Sequence, residues 1–477
     1  MPFDKQDKYS KERIQHWDSI ARDQTHKWKA GTGYHQRLKE FFQYLIPAGA
    51  SVLELGCGQG DLLAALKPSR GIGVDFSREM VTQAKVNHPE CEFVEADTHE
   101  LNLNEKFDYI VLSDLINDLW NVQVVFDQIR ACCHSKTRIL INSYSRVWSP
   151  VLSLSSAVGL SKSNLPQNWL TPDDVYNLLI LEGYEPLRIW HEILFPFSIP
   201  MIEPFFNRFL VKIWPFHYLA LTNVVMARPL PEVPHRKTPP VVSVIVPSRN
   251  EAGNIPEIFT RVPEMGSGTE LVFVEGHSKD NTFTAIEAAI TANPSRKAKL
   301  FRQTGTGKGD AVRTGFSNAS GDILMILDAD LTVAPEDLPA FYKTLVNGKG
   351  DFINGVRLIY PMEREAMRPL NLLGNKAFSL IFSWALGQPI KDTLCGTKVL
   401  WKSDYERIAA NRGYFGEFDP FGDYDLLLGA DKLGLKIVDL PIRYHDRVYG
   451  TTNIQRWKHG WMLLKMVFFA MGKIKFV

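Results

Sequence analysis

The stretch Gly321 to Thr332 reads GDILMILDADLT, an apolar run that ends in two acidic residues one position apart, Asp328 and Asp330. Carboxylates so placed can hold a hard divalent cation, and Mg²⁺ takes one or two carboxylates together with substrate phosphates. A second chemical signal is Gly56-Cys57-Gly58-Gln59-Gly60, followed by Asp75. A glycine turn between a strand and a helix opens a nucleotide site, and an acidic residue roughly twenty positions on can take a ribose diol. The dinucleotide fingerprint wants one more glycine where Asp61 stands, and a carboxylate at that helix start opposes a pyrophosphate. S-adenosylmethionine carries no phosphate and tolerates the loop. A third signal, GTGKGD around Lys308, lacks the Lys-Ser/Thr pair of NTPase loops because Gly309 follows, so that reading fails.

Elements must position these groups. Ile323 to Leu327 suit a strand buried on both faces of a parallel sheet, with ligands outside its carboxyl end. Ser51 to Leu55 and the run ending at Asp75 read as strands, and DLLAALK after Gly60 as a helix. Residues 10–46 read as helical, with Leu38, Phe41, Phe42 and Leu45 on one face. Thr171 is an N-cap with Pro172 behind it, ahead of an amphipathic helix and a strand. Residues 193–226 are apolar and broken by prolines, and they read as a lid packed on the first domain or an interfacial membrane patch. Prolines at 229, 231, 234, 239 and 240 mark a linker. The expected domains are 1–228 and 241–477, joined by 229–240.

The chain has 477 residues, 45% hydrophobic and 22% charged, as in a globular protein of several domains. A net charge of +1 gives no general attraction to nucleic acid. Its five cysteines show no metal spacing, which suits a reducing, cytoplasmic setting. The charged N-terminus reads as no signal peptide, and no apolar run reaches the roughly 18 residues of a transmembrane helix.

LELGCGQG, then Asp75, EADTHEL and FDYIVLSD together resemble a class I S-adenosylmethionine-dependent methyltransferase over about residues 10–228. The resemblance implies that Glu54 and the loop of Gly56, Gly58 and Gly60 face the methionine part of the cofactor. It puts Asp75 on the ribose, Asp97 beside the adenine and Ser113 with Asp114 at the cofactor's edge. Asp114, Asp118 and Tyr144 are candidates to act on the methyl acceptor, while His134 and His191 are expected to be structural.

VIVPSRNE, a turn with Glu275 and Asp280, GKGDAVRTGF and DAD resemble a family 2 glycosyltransferase of the GT-A fold over about 241–455. The fold class is therefore α/β, two doubly wound domains. By this resemblance Pro247, Asn250, Glu251 and Glu275 line the base and ribose slot of a nucleotide-sugar donor. Lys308 and Asp328 meet its diphosphate, and Asp328 with Asp330 carries Mg²⁺ or Mn²⁺. INGVRL, DTLCGTKVL and YHDRVYGTTNI are similar to segments of polyprenyl-phosphate sugar transferases, which implies that Arg357, Arg368 and Arg447 serve a phosphate. Thr452-Asn453 replace the usual Ser-Lys. Asp423 and Asp425 open a helix where the family keeps an acidic residue on the acceptor side. The acceptor is then a lipid phosphate or a glycan hydroxyl. The tail, with Trp461, Phe468 and Phe469 among Lys465, Lys473 and Lys475, reads as an interfacial helix or a packing helix. Peripheral contact with the cytoplasmic membrane face accords with the first.

Overall fold

Apolar runs become strands wherever a neighbour can cover them. In a computed structural model, which describes residues 2–22, 32–157, 165–231, 238–360, 369–414, 422–447, 449 and 456–477, the chain forms two compact units. One comprises residues 1–230 with 476–477, the other 231–475.

The first unit holds β1 (Ser51–Leu55), β2 (Arg70–Asp75), β3 (Glu92–Glu95), β4 (Phe107–Ser113), β5 (Cys133–Tyr144), β6 (Tyr184–Glu192) and β7 (Thr222–Pro229). Their order is β3-β2-β1-β4-β5-β7-β6. β1 to β5 are parallel, and β7 runs antiparallel between β5 and β6. The order reverses between β1 and β4, whose carboxyl ends therefore flank a crevice. Leu38, Phe41, Phe42 and Leu45 are buried on one helix face as expected. Helix reaches further toward the N-terminus than residue 10, over Pro2–Arg22, with a second segment at Thr32–Leu45. Proline is tolerated in a first turn because its missing N–H would have had no partner there. The apolar stretch 193–226 divides: residues 222–226 belong to β7, wholly buried, and the residues before them form short turns. An apolar run interrupted by prolines carries no periodicity that would separate a strand from a lid.

The second unit holds β8 (Val242–Ser248), β9 (Thr269–Glu275), β10 (Ala298–Arg302), β11 (Ile323–Ile326), β12 (Phe352–Val356), β13 (Lys398–Trp401) and β14 (Ile437–Pro441), in the order β10-β9-β8-β11-β13-β12-β14. β11 is buried throughout and parallel to β8, yet its other neighbour, β13, is antiparallel. The sheet is thus mixed, because β13 returns the chain between two otherwise parallel halves. The tail helix Arg456–Ala470 buries Met466, Val467 and Ala470 in the core with Phe382 and Tyr424, while Trp461 and Phe468 stay exposed. Packing and an exposed aromatic face coexist on one helix. Among the described residues no helix is long and apolar enough to cross a membrane.

The helix Pro172–Leu181 has a full capping box: Asp174 N–H donates to Thr171 Oγ1 at 3.2 Å and Thr171 N–H to Asp174 Oδ2 at 2.8 Å. Thr171→Ala should cost the first unit about 1 kcal/mol, read as a lower denaturant midpoint for its unfolding transition.

Candidate functional site

In the first unit the turn after β1 places Gly56, Gly58 and Gly60 at φ of +71°, +50° and +78°. A Cβ on Gly58 would meet nothing within 4 Å, so one side of the loop is open for a ligand's close approach. Asp75, at the end of β2, holds the loop: its Oδ2 accepts Gly58 N–H at 2.9 Å and its Oδ1 accepts Ser77 N–H at 2.9 Å. Burial raises the pKa of Asp75 and these two amides pull against it. Glu54 is buried behind the loop, and its Oε2 has no hydrogen-bond partner. Burial pushes it up to about 8, with Asp75 adding to the effect and the Leu63 amide opposing it.

Asp97 follows β3 and caps the turn Thr98–Glu100. It accepts from His99 N–H at 2.9 Å and contacts His99 Nδ1 at 2.7 Å, while Asn121 N–H donates to His99 Nε2 at 3.2 Å. The imidazole therefore carries its proton on Nδ1. Burial would raise Asp97, but the two His99 hydrogen bonds outweigh it and hold the carboxyl below its ordinary value. Ser113 closes β4, and Asp114 follows at φ +53°. Asp114 Oδ1 accepts from Tyr34 Oη at 2.8 Å and Asn142 Nδ2 at 2.6 Å, and Tyr144 Oη reaches Oδ2 at 3.4 Å. Burial pushes this carboxyl up to about 6 against those donors. Asp118 instead pairs with Trp17 and Arg13, His134 with Asp108, and His191 with Asn223, all structural contacts.

In the second unit the loops after β8 and β9 are tied together. Asn250, at φ +58°, donates its N–H to Ser278 Oγ at 3.0 Å and accepts Lys279 N–H at 2.7 Å. Glu275 accepts Ser278 N–H at 2.5 Å, and Pro247 is the next-to-last residue of β8, in register with Val274 of β9. Glu251 is buried, accepts from Asn254 Nδ2 at 2.8 Å, and meets Arg447 at 3.1 Å. Burial pushes Glu251 up to about 7, with Arg447 opposing and Asp330 adding.

Past β11, each acidic residue of the Asp-Ala-Asp turn has its own cation. Asp328 Oδ1 lies 2.6 Å from Lys308 Nζ, and Asp330 Oδ2 lies 2.5 Å from Arg447. Thr332 also donates to Asp330 through N–H and hydroxyl at 3.2 and 2.8 Å. Burial would raise Asp328, but Lys308, with Arg357 and Lys398 farther off, holds it below the usual range. Gly396 closes over this pair so tightly that a Cβ would run into both Lys308 and Asp328. Among the described residues no three His, Cys, Asp or Glu side chains gather as a metal cage. A pair of carboxylates that needs substrate oxygens to complete a shell suits Mg²⁺ or Mn²⁺ with a diphosphate.

Other expected residues find different company. Arg357 is bidentate on buried Asp392 at 2.7 and 2.9 Å, so it braces the Asp392-to-Gly396 turn. Arg368, Thr452 and Asn453 lie outside the described residues, as does the side chain of Asp423. Asp423 does begin the helix Asp423–Lys432, and Gly422 sits against Gly309 at the start of helix Lys308–Asn318. Asp425 pairs with Arg412 at 2.8 Å. Nothing in the sequence singled out Arg412, which matters through its contact with Asp425; Asp392 and His99 stand in the DTLCGTKVL and EADTHEL segments, and the fold gives them their partners Arg357 and Asp97.

Residues 46–183 match the model of a methyltransferase domain family, and residues 243–408 match that of glycosyl transferase family 2. The chain carries both domains. The glycosyltransferase unit is 29% identical over 221 residues to a dolichol-phosphate mannosyltransferase of Pyrococcus furiosus, covering 45% of this chain and 59% of that protein. It is 33% identical over 109 residues to an undecaprenyl-phosphate 4-deoxy-4-formamido-L-arabinose transferase of Shewanella sediminis, covering 22% and 33%. The chain thus spans about a third to three fifths of these two relatives. The structure of a magnesium protoporphyrin IX methyltransferase from Synechocystis with bound SAH aligns at 16% identity and a TM-score of 0.34, over 48% of this chain and 100% of that one.

Glu54 of the methyltransferase unit supplies a test with a definite sign. Its folded pKa, about 8, lies above the ordinary value of 4.5, so the folded state keeps a proton that the unfolded state releases. Stability from this group is complete below about pH 4.5 and declines as pH rises toward 8. Glu54→Gln should flatten that decline in the first unit's thermal midpoint between pH 5 and 8. An unchanged slope would show that Glu54 ionises normally.

Proposed function

We propose that the chain runs two group transfers. The glycosyltransferase unit moves a sugar, with inversion, from a nucleotide-sugar donor to a polyprenyl phosphate, with Mg²⁺ or Mn²⁺ on Asp328 and Asp330. The methyltransferase unit moves the methyl group of S-adenosylmethionine, held by the Gly56–Gly60 loop with Asp75 on the ribose.

The observation that carries the sugar-transfer reading is the pairing of Asp328 with Lys308 and of Asp330 with Arg447. The carboxylates suit a cation, and Lys308 and Arg447 suit phosphate oxygens. Donor binding can exchange partners within one set of charges, Asp328, Asp330, Glu251, Lys308 and Arg447. A bound metal would neutralise charge on the departing diphosphate. Lys308 and Arg447 would add to that neutralisation, and Glu251, Glu275 and Asn250 would receive the base and ribose. The lipid-phosphate acceptor is supported by the names of the two relatives above, which act with dolichol phosphate and undecaprenyl phosphate. Exposed Trp461 beside Lys465 on the tail, and Trp384 beside Lys475, suit peripheral contact with a bilayer.

Calorimetry with uridine, guanosine and thymidine diphosphate sugars should show one donor bound in the presence of Mn²⁺ and not in its absence. Asp328→Asn or Asp330→Asn should abolish that metal-supported binding. Equal affinity without metal, or in the variants, would remove the metal from the reading.

The acceptor is tested at Asp425. A sugar hydroxyl needs a general base, and its loss in Asp425→Asn should slow turnover roughly 10²- to 10⁴-fold. A lipid phosphate is already ionised, so the same change should be mild. Purified protein that glycosylates a sugar hydroxyl and ignores polyprenyl phosphate would overturn the phosphate assignment.

A further inference from the structure

Residues 194–219 of the methyltransferase unit, between β6 and β7, are an insertion of helical turns three to five residues long. Their organisation is specific. Asn207 is fully buried and accepts Leu194 and Phe195 N–H at 2.8 Å each, while its amide donates to Phe195 O and Glu203, also at 2.8 Å each. A polar residue thus holds the inside of the insertion and the large apolar side chains are displayed outside. Met201 is 87% exposed, Trp214 73%, Tyr218 63% and Phe205 56%. Cores bury such groups, and four of them exposed within one short segment point to a binding surface.

The charges identify what that surface fits. Glu203 is turned to the Asn207 amide, and Lys212 is buried in an ion pair with Glu192. Among exposed positions from 201 to 219 the single charged residue is Arg208, a cation, 3.8 Å from Glu40. The insertion has no strand edge, and its one continuous run of helical turns, residues 202–212, is short. Indole and phenol rings with aliphatic neighbours and a cation are the chemistry of a bilayer's headgroup boundary.

Its position gives that contact a purpose. Leu221 N–H donates to Ile193 O at 2.6 Å and Ser145 N–H to Leu221 O at 2.8 Å, tying both ends of the insertion to the carboxyl end of β5. Gly33 lies against the backbone of Pro196 to Ser198, and the next residue, Tyr34, hydrogen-bonds Asp114. We propose that residues 194–219 seat the methyltransferase unit on a lipid bilayer through Met201, Phe205, Trp214 and Tyr218. The proposal rests on the methyltransferase reading only for its purpose.

The test uses the full chain and vesicles of phosphatidylcholine alone, sedimented in high salt so that the basic tail's electrostatic attraction is screened. Combined Met201→Ser, Phe205→Ser, Trp214→Ser and Tyr218→Ser should lower partitioning more than about tenfold. Its circular dichroism should match that of the unmodified chain, because all four side chains are exposed. Trp461→Ser with Phe468→Ser serves as the tail control, and the insertion's share of binding should survive in it. As a second measurement on an almost unaltered chain, brominated lipid should quench more fluorescence in the wild type than in Trp214→Phe. Unchanged partitioning in the fourfold variant, or equal quenching with and without Trp214, would overturn the proposal. So would a fourfold variant that changes only the oligomeric state, which would make the patch a protein contact.

Discussion

Both units depend on the cost of placing a carboxylate at the buried end of a strand. A strand covered on both faces delivers its last side chains into a space with little water, where an unpaired charge is expensive. Each acidic residue must then find a partner, keep its proton, or await a ligand. Glu54 keeps its proton, Asp75 takes two backbone amides, and Asp328 and Asp330 take Lys308 and Arg447. The candidate sites are the places where these solutions crowd together.

One of these partners comes from far along the chain. Arg447 reaches Asp330 across more than a hundred residues, and it also holds Glu251. One guanidinium therefore links the turn after β8 with the turn after β11. Arg357 works in another way: locked on Asp392, it fixes the turn that sets Gly396 against Lys308 and Asp328. A substitution at either arginine acts on geometry as well as on charge. Breaking a buried pair leaves the other charge unpaired, which costs more than the pair itself contributes.

The methyltransferase unit separates its tasks by strand. The ends of β1, β2 and β3 supply an open glycine loop and the acidic residues Glu54, Asp75 and Asp97. The ends of β4 and β5 supply Asp114, Tyr144 and Asn142, joined by Tyr34 from a helix early in the chain. Those groups stand where the aromatic insertion is anchored, through the Ser145–Leu221 and Leu221–Ile193 hydrogen bonds.

Local sequence was enough for the strand ends and the groups that stand at them. Gly56 to Gly60 with Asp75, and the Asp328–Asp330 turn after an apolar run, are short-range patterns whose spacing alone specifies a turn and a cluster of carboxylates. The helix faces and the Thr171 cap were legible for the same reason, since periodicity and capping act within a few residues. β7 was hidden inside a proline-broken apolar stretch, because a strand inserted between two others is defined by its neighbours and not by a pattern of its own. The direction of β13 was hidden likewise. Arginine roles were the least legible. A guanidinium looks the same in sequence whether it awaits a phosphate or braces Asp392, and only the folded chain decides which carboxylate lies within its reach. Tertiary packing also decided that Asn207 would be buried and Trp214 displayed, because the polar group satisfied four partners inside the insertion and the indole had none there.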